Sequence, residues 1–223
     1  MSKKLFLSAI IKFLLGVILV GVLVFLPAGT FEYLNGWIFM GVLFIPMFIA
    51  GIIMMIKNPK LLESRLNAKE KEKEQSVVVK LSGLMFLIGF IIAGLNYRFK
   101  WFVLSEYITY IGTAFFLISY VMYAEVLREN TFLSRTIEVT EEQKIIDSGL
   151  YGVIRHPMYS ATIIMFLSMP LILGSLISFF IFLLYPALII IRLVNEEKFL
   201  LENLKGYAEY KNKVKYRLIP FIW

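Results

Sequence analysis

Residues 157–192 read PMYSATIIMFLSMPLILGSLISFFIFLLYPALIIIR, 36 positions with no charge before the closing Arg192. Wound as one helix the run would extend roughly 54 Å at about 1.5 Å per residue, far beyond a hydrocarbon core of about 30 Å. Pro170 and Gly174 stand at its middle, and such a pair interrupts a helix. The run therefore predicts a helical hairpin with arms at about 159–172 and 176–192, each shorter than an ordinary span.

Outward from this hairpin, toward the N-terminus, further apolar stretches occupy residues 5–26, 34–56, 81–97 and 107–127, and lengths near 20 residues suit bilayer crossing. The first follows Lys3-Lys4 and is interrupted only by Lys12, about one turn deep, from which the amine snorkels to the near interface. It exceeds a signal-peptide core in length and lacks a clear small-x-small cleavage site, so it reads as a retained signal anchor. In the second stretch Trp37 lies near one end, Pro46 predicts a kink, and Asn58-Pro59 closes the span. Residues 57–80 carry seven basic and four acidic side chains, including the run Lys69-Glu70-Lys71-Glu72-Lys73-Glu74. They read as a solvated loop or short interfacial helix that sets topology. Arg98, Lys100 and Trp101 fill the tight turn between the third and fourth spans.

Composition agrees. With 59% hydrophobic and 17% charged residues and a mean hydropathy of +0.78, the 223-residue chain lies outside the soluble class. The predicted fold class is all-α: a polytopic integral membrane helical bundle of about six membrane segments, the last two a short helical hairpin, with a cytoplasmic C-terminal amphipathic helix. A four-span bundle occupies 1–127 and a C-terminal region 128–223, within one membrane domain. If both termini share a side, that side holds 21 of the Lys and Arg residues and the other only Arg98 and Lys100. Positively charged loops stay inside, so both termini are expected in the cytoplasm. The net charge of +7 then reads as a topology signal beside membrane lipids, not as a nucleic-acid surface. Zero Cys and one His exclude a disulfide framework, a thiolate metal site, a cysteine nucleophile and a multi-histidine metal centre.

Polar residues gather in two segments at the expected cytoplasmic face. The first runs Gln143-Lys144-Ile145-Ile146-Asp147-Ser148-Gly149-Leu150-Tyr151-Gly152-Val153-Ile154-Arg155-His156-Pro157-Met158-Tyr159. Pro157 suits the first turn of a helix, where its missing N–H has no partner to lose, and it biases His156 toward extended backbone. Arg155 beside it is placed to pair with a carboxylate or to anchor at headgroup level. The second segment holds Arg192, Asn195, Glu196 and Glu197, then Gly206-Tyr207-Ala208-Glu209-Tyr210 and the ending Tyr216-Arg217-Leu218-Ile219-Pro220-Phe221. Glu196 follows Arg192 by four residues and shares its helical face. This reads either as an ordinary surface pair or, at a membrane boundary, as part of a site.

Together these elements resemble the isoprenylcysteine carboxyl methyltransferase and phospholipid methyltransferase superfamily of integral membrane enzymes. The resemblance rests on Ser148-Gly149-Leu150-Tyr151, Arg155-His156-Pro157-Met158-Tyr159, Arg192 with Glu196-Glu197, and the Gly-Tyr-x-x-Tyr to Pro-Phe tail. It is sharpest in the last third of the chain. It implies S-adenosylmethionine as methyl donor, held by Gln143, Lys144, Ile145, Ile146, Gly149, Tyr151, His156, Pro157, Met158, Tyr159, Glu196 and Glu197. It further implies Arg192 facing a carboxylate, or other small or lipophilic, methyl acceptor, with Arg192, His156 and Arg155 as the catalytic set and no metal or nucleic acid involved. The chemistry is compatible: a carboxylate pairs with the donor's ammonium, aromatic rings line a sulfonium by cation–π contact, and an arginine grips an acceptor carboxylate bidentately. The chain has no G-x-G, which argues against a soluble Rossmann methyltransferase.

Two other readings compete. Membrane NADPH-dependent sterol reductases resemble this C-terminal layout, but they usually lack Pro after the His and carry Arg-Asp-Glu where this chain has Asn195-Glu196-Glu197. A non-enzymatic membrane protein would leave the joint spacing of the two motifs unexplained. The tail 196–214 places Leu200, Leu204, Tyr207 and Val214 at roughly helical spacing, an amphipathic lid or interfacial anchor that Gly206 is expected to bend or split. Glu125, Arg128, Glu129 and Asn130 read as a helix-terminal charge cluster, with Asn130 within possible reach of the site.

Overall fold

Apolar runs in lipid become helices because every backbone N–H and C=O must be satisfied within its own segment. The computed structural model describes residues 3–66, 73–130, 132, 139 and 143–223. Its helices are α1 (Lys3–Ala28), α2 (Leu34–Lys57), α3 (Pro59–Leu66), α4 (Lys73–Phe99), α5 (Glu106–Glu129), α6 (Pro157–Ile172), α7 (Leu176–Phe182), α8 (Leu184–Asn203) and α9 (Tyr207–Lys213), with a 3₁₀ turn at Gly149–Gly152. Among the described residues five helical stretches are long and apolar enough to cross a membrane, α7 and α8 counting together as Leu176–Asn203, and α6 is a shorter apolar helix. The protein is a multi-pass membrane bundle of the class the hydropathy predicts.

The hairpin is present. Gly174 takes the left-handed conformation at φ +67°, and Ser175 caps α7 by accepting from Ser178 N at 3.3 Å. This turn pairs with the α4–α5 loop: Leu104 N donates to Gly174 O at 3.0 Å and Leu176 N to Phe102 O at 3.3 Å. The 16 residues of α6, roughly 24 Å of helix, thus reach the same end of the bundle as the loop that holds Arg98 and Lys100. Asn96 secures that loop through its side chain, bonded to Phe102 N and O.

Three boundaries differ from the hydropathy reading. The second arm does not end at Arg192 but runs to Asn203, because the polar residues after Arg192 find buried partners described below. It also breaks at Leu183, three residues before Pro186, which has no N–H to donate to the carbonyl four residues earlier. Helix α4 begins at Lys73 rather than near position 81, and buried Gln75 in its first turns donates to Arg192 O at 3.5 Å. Pro46 is accommodated within α2. The stretch 57–80 yields the short α3 and the start of α4, while residues 67–72, most of its charged run, lie outside the described residues. Lys12 Nζ donates to Leu66 O at 2.7 Å, which puts α3 level with the first turns of α1.

An aromatic core with Phe39, Phe90, Phe116, Phe182 and Tyr185 joins the helices. Helix α5 packs closely along α6. At Gly112 an added β-carbon would lie 2.8 Å from Leu171 Cβ and 3.1 Å from Ile172 N, a closeness only a small residue permits. Gly112→Leu is therefore expected to wedge α5 from α6 and lower stability by about 1–3 kcal/mol or more. Gly83→Leu, whose β-carbon would meet nothing within 4 Å, is the matched control. Thermal midpoints in one detergent test this; equal midpoints for the two variants would refute the close packing.

Candidate active site

Pro157 opens α6 at its first position, and His156 before it is the non-helical cap residue, with φ −125°. Its ψ of 60° stops short of the extended backbone that a following Pro favours, but the residue is outside the helix and its N–H pairs with the C-terminal tail. Arg155 N donates to Tyr216 O at 2.9 Å and His156 N to Arg217 O at 3.0 Å. The motif turn and the tail are thus stitched together by main chain before any side chain is considered.

Side chains complete the seam around Glu197, which is 3% exposed. Its Oε1 accepts from Arg155 Nε at 2.7 Å and faces His156 Nε2 at 3.3 Å, and its Oε2 accepts from Arg217 Nε at 3.0 Å. A carboxylate only accepts, so the contact assigns the proton to Nε2. Arg155 also donates through Nη1 to Val214 O at 2.7 Å and Lys215 O at 2.8 Å. One buried carboxylate therefore gathers three nitrogenous side chains, two from the motif turn and one from the tail.

Beside this cluster lies a second arrangement. Tyr159, on the first turn of α6, donates its hydroxyl to Glu196 Oε2 and accepts from Arg192 Nε at 3.0 Å. The Arg192 and Glu196 side chains, one turn apart on α8, are bridged by this phenol. The His156 and Tyr159 rings stack at 5.7 Å between centroids with 24° between planes. Tyr207 of α9, 3% exposed, has a hydroxyl with no hydrogen-bond partner among the described residues. Burial first, then the charges of Glu197 and Glu196, raises its pKa above the usual tyrosine value, so the hydroxyl stays protonated and able to donate.

A third group holds the approach from residue 143. Tyr151 is buried; Tyr210 donates to its carbonyl at 2.8 Å and Asn130 Nδ2 to its hydroxyl at 3.2 Å. Burial is the main cause raising the Tyr151 pKa. Ile145 packs with Leu204, Tyr207, Tyr210 and Val214 in a small cluster beneath α9. Lys213 contacts Asp147 at 2.6 Å and holds that exposed carboxyl below its ordinary pKa. Ser148 Oγ donates to Glu129 Oε2 at 2.6 Å. Gly206 at φ +87° lies between α8 and α9, so the tail is split where the glycine predicts.

The structure thus gathers Ile145, Tyr151, His156, Pro157, Met158, Tyr159, Arg192, Glu196 and Glu197 at one end of the bundle. Gln143 and Ile146 are half-buried on the approach, Lys144 is exposed there, and Gly149 at φ +53° turns beside Glu129. Arg155 faces Glu197 and the tail carbonyls. Asn130, read mainly as part of a charge cluster, reaches Tyr151, whereas Arg128 pairs with Glu125 and Glu129 as that reading expects. Sequence reasoning did not place Arg217, Tyr207 or Arg65 in the site. Arg65 reaches from α3 to Tyr123 and to Met158 Sδ at 3.7 Å. Only the tail's Gly-Tyr-x-x-Tyr and Tyr-Arg-Leu pattern signalled the first two, and nothing local signalled the third.

Residues 107–206 match the family model described as phospholipid methyltransferase. That family belongs to the superfamily which the C-terminal motifs resemble. A Delta(14)-sterol reductase of Mus musculus is 33% identical over 91 residues, which cover 40% of this chain and 22% of that protein. The chain thus matches about a fifth of the length of that curated relative.

Removing one member of a buried charge cluster strands the others, at a cost of about 3–5 kcal/mol. Glu197→Ala is expected to lower the thermal midpoint strongly and to expose the tail after Lys213 to protease. Glu125→Ala, which breaks only an exposed pair, is expected to leave both unchanged. An undiminished midpoint in the Glu197 variant would remove the cluster from its holding role.

Proposed function

We propose that this protein is a membrane methyltransferase that uses S-adenosylmethionine at the basic end of its bundle, facing the cytoplasm. Its acceptor is a carboxylate or other small or lipophilic group. The reading is carried by one coincidence: the phospholipid methyltransferase match spans residues 107–206, and within it Tyr159 bridges Arg192 to Glu196.

The residues fit a zwitterionic donor with a cationic sulfur. Glu196 would take the ammonium, the unsatisfied Tyr207 hydroxyl would donate to the donor's carboxylate, and the faces of Tyr151 and Tyr159 would line the sulfonium. When bound, the donor supplies an electrophilic methyl group and departs as a neutral thioether. Arg192 would hold the acceptor's carboxylate, with Tyr159 fixing its distance from Glu196. Arg155, His156, Glu197 and Arg217 act as positioning residues, and α9 with Ile145 excludes water. An ionised carboxylate needs no general base, which accords with an imidazole directed at Glu197 rather than left for proton transfer. Alignment of this kind supplies several kcal/mol, up to about 7–11 in the most favourable cases.

The similarity to a sterol reductase over 91 residues supports one second reading, a reductase using NADPH. Thermal shift of the purified protein separates the two, since a ligand at 100 times its Kd stabilises by about 2.7 kcal/mol. S-adenosylhomocysteine is expected to raise the midpoint and NADPH to leave it unchanged; the reverse result would favour the reductase.

The division of labour has its own test. Glu196→Gln is expected to weaken S-adenosylhomocysteine binding about tenfold or more. Arg192→Ala is expected to bind it like wild type while transferring no labelled methyl group from S-adenosylmethionine into a solvent extract of the expressing membranes. Wild-type binding and transfer in both variants would overturn these roles.

A further inference from the structure

After Val214 the chain leaves α9 and forms a closed hook. Leu218 N and Ile219 N both donate to Trp223 O, at 2.9 and 3.1 Å, while Ile222 N and Trp223 N donate back to Ile219 O, at 3.2 and 3.1 Å. Phe221 at the tip adopts φ +65°, a left-handed conformation that a side chain normally disfavours. One face of the hook is fastened to the bundle: Ser160 Oγ donates to Leu218 O at 2.7 Å, Leu218 and Trp223 pack on the main core, and the Arg217 guanidinium lies 4.9 Å over the Trp223 ring. The opposite face carries Ile219, Phe221 and Ile222, exposed by 52%, 85% and 76%.

A turn held in a disfavoured conformation to present three apolar side chains outward needs an apolar environment to receive them. Its height in the bundle says which. Ser160 lies in the first turn of α6 and Arg217 meets His156, so the hook sits where the apolar helices end. Lys205, Lys211 and Lys213 precede it and Lys215 opens it, and basic residues beside apolar ones match an anionic headgroup layer over acyl chains. We propose that residues 215–223 form an interfacial anchor that inserts Phe221 and Ile222 into the anionic leaflet at the basic end. The anchor holds Arg217, and through it Glu197, against the bilayer surface. It stands independently of the proposed methyl transfer.

The absence of Cys from the chain makes the test direct. Ile222→Cys and, as control, Glu209→Cys on exposed α9 are each labelled with an environment-sensitive fluorophore. Both are reconstituted in phosphatidylcholine vesicles with or without about one-third phosphatidylglycerol. The 222 label is expected to emit at shorter wavelength, to resist iodide and to be quenched by lipids brominated near the glycerol end, most strongly with phosphatidylglycerol. The 209 label is expected to remain open to iodide. Equal iodide access at both positions would overturn the anchor. So would protection at 222 that rises with protein-to-lipid ratio and escapes the brominated lipid, since that pattern marks a second copy of the chain as the occupant.

Discussion

A carboxylate buried at the edge of a membrane bundle stays ionised only if donors are brought to it, and Glu197 brings them from two distant parts of the chain. The residues that share its face of α8, Leu193, Val194, Leu200 and Leu201, are apolar, so the charges come from the turn before α6 and from the tail. That demand accounts for much of what surrounds it. Arg155, once turned to Glu197, has nitrogen left for the Val214 and Lys215 carbonyls, which otherwise end α9 without partners. The tail, drawn in to deliver Arg217, aligns Tyr216 and Arg217 with the backbone of Arg155 and His156. With the tail in place, α9 covers Ile145 and Tyr210 reaches the carbonyl of Tyr151. Buried ion pairs add little net stability over an apolar core. What this one contributes is a single arrangement of three segments that apolar packing alone would leave free to slide.

The bundle below makes that arrangement possible by keeping its charged end and its far end apart. Helix α6 is short, yet its far turn is hydrogen-bonded to the α4–α5 loop, so both ends of the helix are fixed. Tyr159 therefore rises from α6 at a set height, opposite Arg192 and Glu196 of α8. Close contact at Gly112 brings α5 against α6 and so carries Asn130, at the end of α5, to Tyr151. Packing in the membrane and the geometry of the polar cluster are one problem, since a shift of either helix would separate a hydroxyl from its partner.

The spans and the hairpin were legible in the sequence because lipid imposes one rule on every segment, and Pro170 with Gly174 marked the only place where the long apolar run turns. Boundaries in the charged regions were not. Hydropathy ends a helix where charge begins, yet α8 continues past Arg192 and α4 starts at Lys73 because Gln75 and Arg192 find partners on other helices and Glu197 finds them in the turn before α6 and in the tail. The break at Leu183 had a local cause in Pro186 that the apolar run concealed. In the site, the motif residues could be named from spacing and resemblance, and a pairing of Arg155 with a carboxylate was foreseeable. Which carboxylate it is, and that Tyr159 intervenes between Arg192 and Glu196, depends on the meeting of α6 and α8. Arg217, Tyr207 and Arg65 come from segments whose nearness no periodicity encodes.

Two adjacent glutamates have ended with unlike surroundings, and this bears on how one segment can resemble both a methyltransferase family and a sterol reductase. Both oxygens of Glu197 are engaged by the protein's own Arg155, His156 and Arg217, so this half of the cluster is complete without a ligand and places no requirement on the chemistry beside it. Glu196, Tyr159 and Arg192, bridged to one another, form the other half beside the Tyr207 hydroxyl, a buried donor without a hydrogen-bond partner among the described residues. A scaffold divided in this way can keep its holding half while the open half changes, because the energy that fixes the backbone does not come from the ligand. Under the proposed function the reaction would be decided by the few side chains around Glu196, where an ammonium, a sulfonium and an anionic acceptor would each find a group of the right sign.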